Sequence, residues 1–77
     1  MLEIFSNALR NKDYYICLYD NNIYINNYQE ILSFSNNLIT IKLPNKNILI
    51  KGTNILIKKM ENNELLISGN ISGVSYE

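Results

Sequence analysis

The chain has 77 residues, with seven basic and seven acidic side chains, one cysteine and no histidine. Those numbers hold it to a single small domain, exclude a disulfide within the chain, make a structural zinc site untenable and leave no basic excess to attract nucleic acid or anionic lipid. A domain of this size buries only about 60–65% of its unfolded surface, so stability must come from a dense aliphatic core or from self-association.

Taken in chain order, residues 2–10 place Leu2, Phe5 and Leu9 on one helical stripe, with Ala8 beside it. The spacing predicts a short amphipathic helix. Such a helix is shorter than the roughly 12–15 residues needed for stability in isolation and must dock on something. We therefore divide the chain into an N-terminal arm, 1–12, and a β domain, 13–77. From Tyr14 the pattern changes to strands over 14–19, 22–26, 31–35 and 38–43. Leu32 and Phe34 are expected on one face of the third of these, with Ser33 and Ser35 on the other. Ile39, Ile41 and Leu43 alternate with Thr40 and Lys42 in the fourth, and Pro44-Asn45-Lys46 breaks the run.

The string Asn-Ile-Leu-Ile-Lys then occurs twice, at 47–51 and 54–58. A helix would spread each Ile-Leu-Ile around most of its circumference, and Gly52 and Thr53 would weaken it. As strands, Ile48 and Ile50 share a face, as do Ile55 and Ile57, with a connection at Gly52-Thr53 or Thr53-Asn54. Residues 64–69 and 70–76 complete the series, Gly69 and Gly73 marking bulges or a bend. The expectation is a mainly β fold, a small antiparallel β-sandwich or partly open barrel or meander of about seven or eight short strands with a short N-terminal helix. Two packed faces, or a strongly coiled sheet, are expected because a flat sheet would leave Leu49, Leu56 and Leu66 exposed opposite the Ile rows. The 14 Asn include four Asn-Asn pairs. AT-rich codon usage accounts for their number, and the tolerance of Asn for turn conformations accounts for many of their positions.

No reaction chemistry is visible. Without histidine the usual general base near neutral pH is missing. Cys17, between Ile16 and Leu18, reads as an inert strand thiol. The acids read better as solvated loop charges than as a catalytic carboxylate pair, and the glycines match neither a phosphate loop nor a dinucleotide fingerprint. No enzyme activity, metal or cofactor is expected. Two binding alternatives follow from the aromatics. Tyr15, Tyr19, Tyr24, Tyr28 and Phe34 with Lys42, Lys51 and Lys58 could form a platform for single-stranded nucleic acid on a small barrel, which zero net charge disfavours; Asn and Tyr on one face could instead hold carbohydrate such as peptidoglycan. No apolar run approaches the roughly 20 residues that span a bilayer, and Met-Leu-Glu-Ile-Phe-Ser lacks signal-peptide character, so a cytoplasmic location is expected.

Four stretches carry a resemblance to a known family: Ile25-Asn26-Asn27-Tyr28, Glu30-Ile31-Leu32-Ser33-Phe34-Ser35, Leu49-Ile50-Lys51-Gly52, and Glu64-Leu65-Leu66-Ile67-Ser68-Gly69-Asn70-Ile71. In order and spacing they resemble the YabP/YqfC sporulation proteins, closest to the YqfC branch. The resemblance implies a non-enzymatic protein of endospore-forming, low-GC Gram-positive bacteria (Firmicutes). It further implies synthesis in the mother cell, a role in spore coat or cortex development, and a protein partner at a spore membrane, which would make the protein peripheral at the forespore envelope. It supplies no catalytic residues. Leu2, Phe5, Leu9, Tyr14, Tyr15 and Tyr19 either close the domain's own core, the favoured reading, or present a surface to a partner. Unpaired strand edges add an expectation of homo-oligomers.

Overall fold

The computed structural model describes residues 14–77. The expected helix with Leu2, Phe5 and Leu9, and the proposed arm 1–12, lie outside the described residues. Six strands form one open antiparallel sheet. They are β1 (Tyr15–Tyr19), β2 (Asn22–Asn26), β3 (Glu30–Phe34), β4 (Leu38–Lys42), β5 (Asn47–Glu61) and β6 (Glu64–Tyr76), in the spatial order β1-β2-β6-β5-β4-β3. Asparagine sets the sharpest corner. Asn62 and Asn63, with φ of 51° and 63°, join β5 to β6, the left-handed pair that matches the twist of a two-residue hairpin. Asp20, with φ of 50°, opens the turn between β1 and β2.

The described residues hold six strands where seven or eight were expected, because two pairs of short strands are each continuous. The repeated pentapeptides 47–51 and 54–58 run on as β5, and 64–69 and 70–76 as β6. Gly52 is not a turn. A Cβ there would stand 2.3 Å from the Asn70 carbonyl oxygen, so the glycine lets two strands approach. Asn54, with φ of 53°, lies where the β5–β6 register slips between Thr53 and Leu56. On β6 the extra residue is Ser72, since Lys51 pairs with Gly73 while Gly52 pairs with Ile71. The Ser72 hydroxyl donates to the Lys51 carbonyl at 3.3 Å. Each bulge exchanges the inward and outward sides of the strand beyond it. The inward row of β5 therefore passes from Ile48 and Ile50 to Ile55.

These irregularities bend the sheet. A straight strand of fifteen residues would span about 50 Å, yet the longest dimension of the molecule is 35 Å. The connection between β2 and β3 requires the same. Asn26 pairs with Glu64 at one end of the β5–β6 hairpin, whereas Glu30 pairs with Lys42, the partner of Asn47, at the other. The four steps from residue 26 to residue 30 reach only about 14 Å. The hairpin thus folds into two arms, one carrying β1 and β2, the other β4 and β3. The turns of both outer hairpins are fastened at the bend: Gly69 N donates to Asn21 O (3.1 Å), Gly52 N to Asn37 O (3.1 Å) and Ile55 N to Asn36 O (2.9 Å).

Between the arms lies one aliphatic cluster: Ile23, Ile25, Ile39, Ile41, Leu43, Ile48, Ile50, Ile55, Leu65 and Ile67. Among the described residues no polar side chain is buried, so nothing in this core carries an unpaired polar group. Of the two expected arrangements the strongly bent single sheet forms, and among the described residues no second layer covers Leu49, Leu56 and Leu66. Those residues lie on the outside of the sheet, Leu56 half exposed at 50%. The expected facing of β3 also differs. A bulge between Ile31 and Ser33 turns Ile31 toward the core and leaves Leu32 and Phe34 exposed.

Candidate interaction surface

The strand pairings place three four-residue rows on the outside of the first arm. One runs Tyr19, Asn22, Ser68, Leu56; the next Cys17, Tyr24, Leu66, Lys59; the last Tyr15, Asn26, Glu64, Glu61. The Tyr15 and Tyr24 rings meet edge to face, with centroids 5.8 Å apart at 63°. Asn26 Nδ2 donates to the Tyr24 hydroxyl at 3.3 Å. Along the rim, Lys59 Nζ lies 3.5 Å from Glu61 and 3.6 Å from Glu64. The result is an aromatic and aliphatic patch with a charged border, the composition of an interface core and its rim.

The structure separates the tyrosines proposed from sequence. Tyr15 and Tyr19 belong to this outer face. Tyr14 packs against the aliphatic core, near Tyr76 at the end of β6. Leu2, Phe5 and Leu9 lie outside the described residues. Tyr24, Cys17, Leu56 and Leu66 join the face without having been singled out for it. Counting by twos from Tyr15, then across the two-residue turn to Tyr24, would have found the first pair; Leu56 and Leu66 depend on the long-range register of β5 and β6.

Of the residues weighed for the disfavoured nucleic-acid platform, Tyr15, Tyr19 and Tyr24 share the outer face but the others do not join them. Tyr28 packs on the core, Phe34 lies on β3, and Lys42 and Lys51 line the other arm. The acids are less solitary than they read in sequence, since Glu61 and Glu64, three apart, face each other across the turn with Lys59 between them. Their open, salt-bridged setting offers no acid–base pair. Among the described residues no group of His, Cys, Asp and Glu side chains could hold a metal ion. No helix among them is long and apolar enough to cross a membrane.

Three groups among the described residues have shifted proton affinities, all in one direction. Burial, then the neighbouring Tyr24, Cys17 and Glu64, pushes the Tyr15 phenol above its ordinary 10.0. Burial and then Tyr14 do the same to Tyr76. Glu64, then Glu61, raises the Lys59 ammonium above 10.5. Each group holds its proton more tightly folded than unfolded, so stability falls as pH climbs past about 10. The urea midpoint should therefore drop above that pH, and drop less in a Tyr15→Phe/Tyr76→Phe double variant. A midpoint that rises there contradicts the assignment.

Compared with protein families, residues 11–77 match the model of the YabP family. No curated protein matches the chain.

Proposed function

From the premise that this chain belongs to the YabP family, and is thereby tied to sporulation, we propose that it is a non-enzymatic interaction module of spore envelope development, nearest the YqfC branch. It acts in the mother cell, in coat or cortex formation, by holding a protein partner at the forespore envelope. The observation that carries this reading is the outer face of the first arm. Tyr15, Tyr19, Tyr24, Leu56 and Leu66 stand on a continuous sheet with the Lys59, Glu61 and Glu64 charges at its border. Tyrosine on a rigid support gives large contact area at small entropic cost, which is why it recurs at the centres of interfaces.

Leu56 tests the reading cleanly, because it is half exposed and contributes nothing to the core. In a sporulating strain lacking the gene, the native chain should restore heat-resistant spores. A Leu56→Glu chain should fold with an unchanged melting temperature yet restore about tenfold fewer, the expected penalty for a charge in a desolvated contact worth about 1.4 kcal/mol. Full restoration by Leu56→Glu and by Tyr24→Asp would overturn the assignment of this face.

A further inference from the structure

Four stretches of strand have no neighbour on one side among the described residues: β1, β3, residues 56–61 of β5 and residues 70–76 of β6. Folded proteins guard such edges with charges and bulges. Three of the four are guarded in this way. β3 begins with Glu30 and is bulged at Leu32; 56–61 carries Lys58, Lys59, Glu61 and a register slip; 70–76 is bulged at Ser72. β1 alone is uncharged and regular, with five unbroken pairs to β2, and its Leu18 is 60% exposed.

Its sequence, Tyr-Ile-Cys-Leu-Tyr, also reads nearly the same in both directions. We propose that β1 is a homodimer interface, to which β1 of a second copy adds antiparallel about a two-fold axis through Cys17. Tyr15 then faces Tyr19 of the second copy, Ile16 faces its Leu18, and Cys17 faces its Cys17. Every pair is like with like, as a two-fold interface requires, and every side chain keeps its face of the sheet. β3 fails the same operation, because Glu30 would face Phe34 and Ile31 would face Ser33.

The backbone agrees. The hydrogen-bonded turn at Asp20-Asn21 closes on the pair Tyr19 and Asn22, so residues 19, 17 and 15 bond inward to β2. The polar groups of Ile16 and Leu18 therefore point outward and would bond reciprocally to Leu18 and Ile16 of the second copy. The two Cys17 become a non-hydrogen-bonded pair with Cα atoms about 4.5 Å apart, inside the range a disulfide can bridge. The dimer joins two tyrosine faces into one eight-strand surface. It does not rest on that face's being a partner site, since Leu56 lies three strands away from β1.

The full chain is tested by thiol cross-linking with diamide, which takes up the two electrons and two protons released as two thiols join. The native chain should give a covalent dimer. A Cys17→Ser/Tyr19→Cys chain should give none, although position 19 is the more exposed, because the two copies of residue 19 lie at least about 13 Å apart in this register. Leu18→Lys should reduce the native cross-link at least about tenfold by placing charge in the new ladder, and the reduced native chain should sediment as a dimer at high concentration. Equal cross-linking through position 19, no effect of Leu18→Lys, or a reduced chain that sediments only as monomer or as open-ended polymer would each overturn the proposal.

Discussion

Replacing Gly69 by alanine should destabilise the fold by about 3 kcal/mol or more, while the same change at Gly73 should stay within about 0.5 kcal/mol. Gly69 has φ of 145°, a region almost closed to residues with a Cβ. An added Cβ would also stand 2.6 Å from Ile55 Cα and 2.8 Å from Asn54 O, both backbone atoms of a neighbouring strand. Strain and collision therefore add at one position, and that position is the bend, where Gly69 N is also tied to Asn21 O. Gly73 has ordinary φ and open space where its Cβ would be. A chain of this length has roughly 4–12 kcal/mol of stability in all. Urea denaturation should thus show Gly69→Ala with a strongly lowered midpoint and Gly73→Ala close to the native chain. Equal midpoints for the two variants would mean that β6 does not bend at Gly69.

The second large effect lies in the core. Ile67 is fully buried and stands between Ile23 of β2 and Ile57 of β5. Ile67→Ala removes three buried carbons and leaves a cavity, a change that costs about 2–5 kcal/mol. Ile50, fully buried between Ile39 and Val74 in the other arm, should cost a similar amount. The comparison matters more than either value. The ten aliphatic residues form one cluster across both arms, so each variant should still unfold in a single cooperative transition. If Ile50→Ala instead produced two transitions, with the Ile23 and Ile67 side surviving the first, the arms would be separate cores.

Local signals were enough for the outer hairpins. Alternation of Ile with polar residues, and Asp or Asn at the corners, located β1 through β4 to within about one residue at each end. The long strands were illegible for a physical reason. Gly52-Thr53-Asn54 and Gly69-Asn70 are residue types that make turns, and the same residues make bulges and close strand approaches. Which of these occurs is decided by what lies opposite: the Asn70 carbonyl over Gly52, and the backbone of Asn54 and Ile55 over Gly69. That information is many residues away in sequence. The real turn between β5 and β6, Asn62-Asn63, resembled the other Asn-Asn pairs. The outer tyrosine face had a comparable history. Parity within β1 sets Tyr15 and Tyr19 on the side opposite Tyr14, but the contributions of Leu56 and Leu66 follow only once the β5–β6 register is known. Family resemblance reached further than local pattern, because it depends on the spacing of turns over most of the chain.

The shared β5–β6 hairpin also orders events in time. Its closure at Asn62-Asn63 is local and can be reached in roughly microseconds. The β1–β2 hairpin has no place to dock until residues 64–68 are set, whereas β4 pairs with residues 47–51 across the short connection 43–46. Folding should therefore be limited by the distant docking of β2 on β6, on the millisecond-to-second scale of chains dominated by non-local pairing, after the local β5–β6 and β4–β5 pairings have formed.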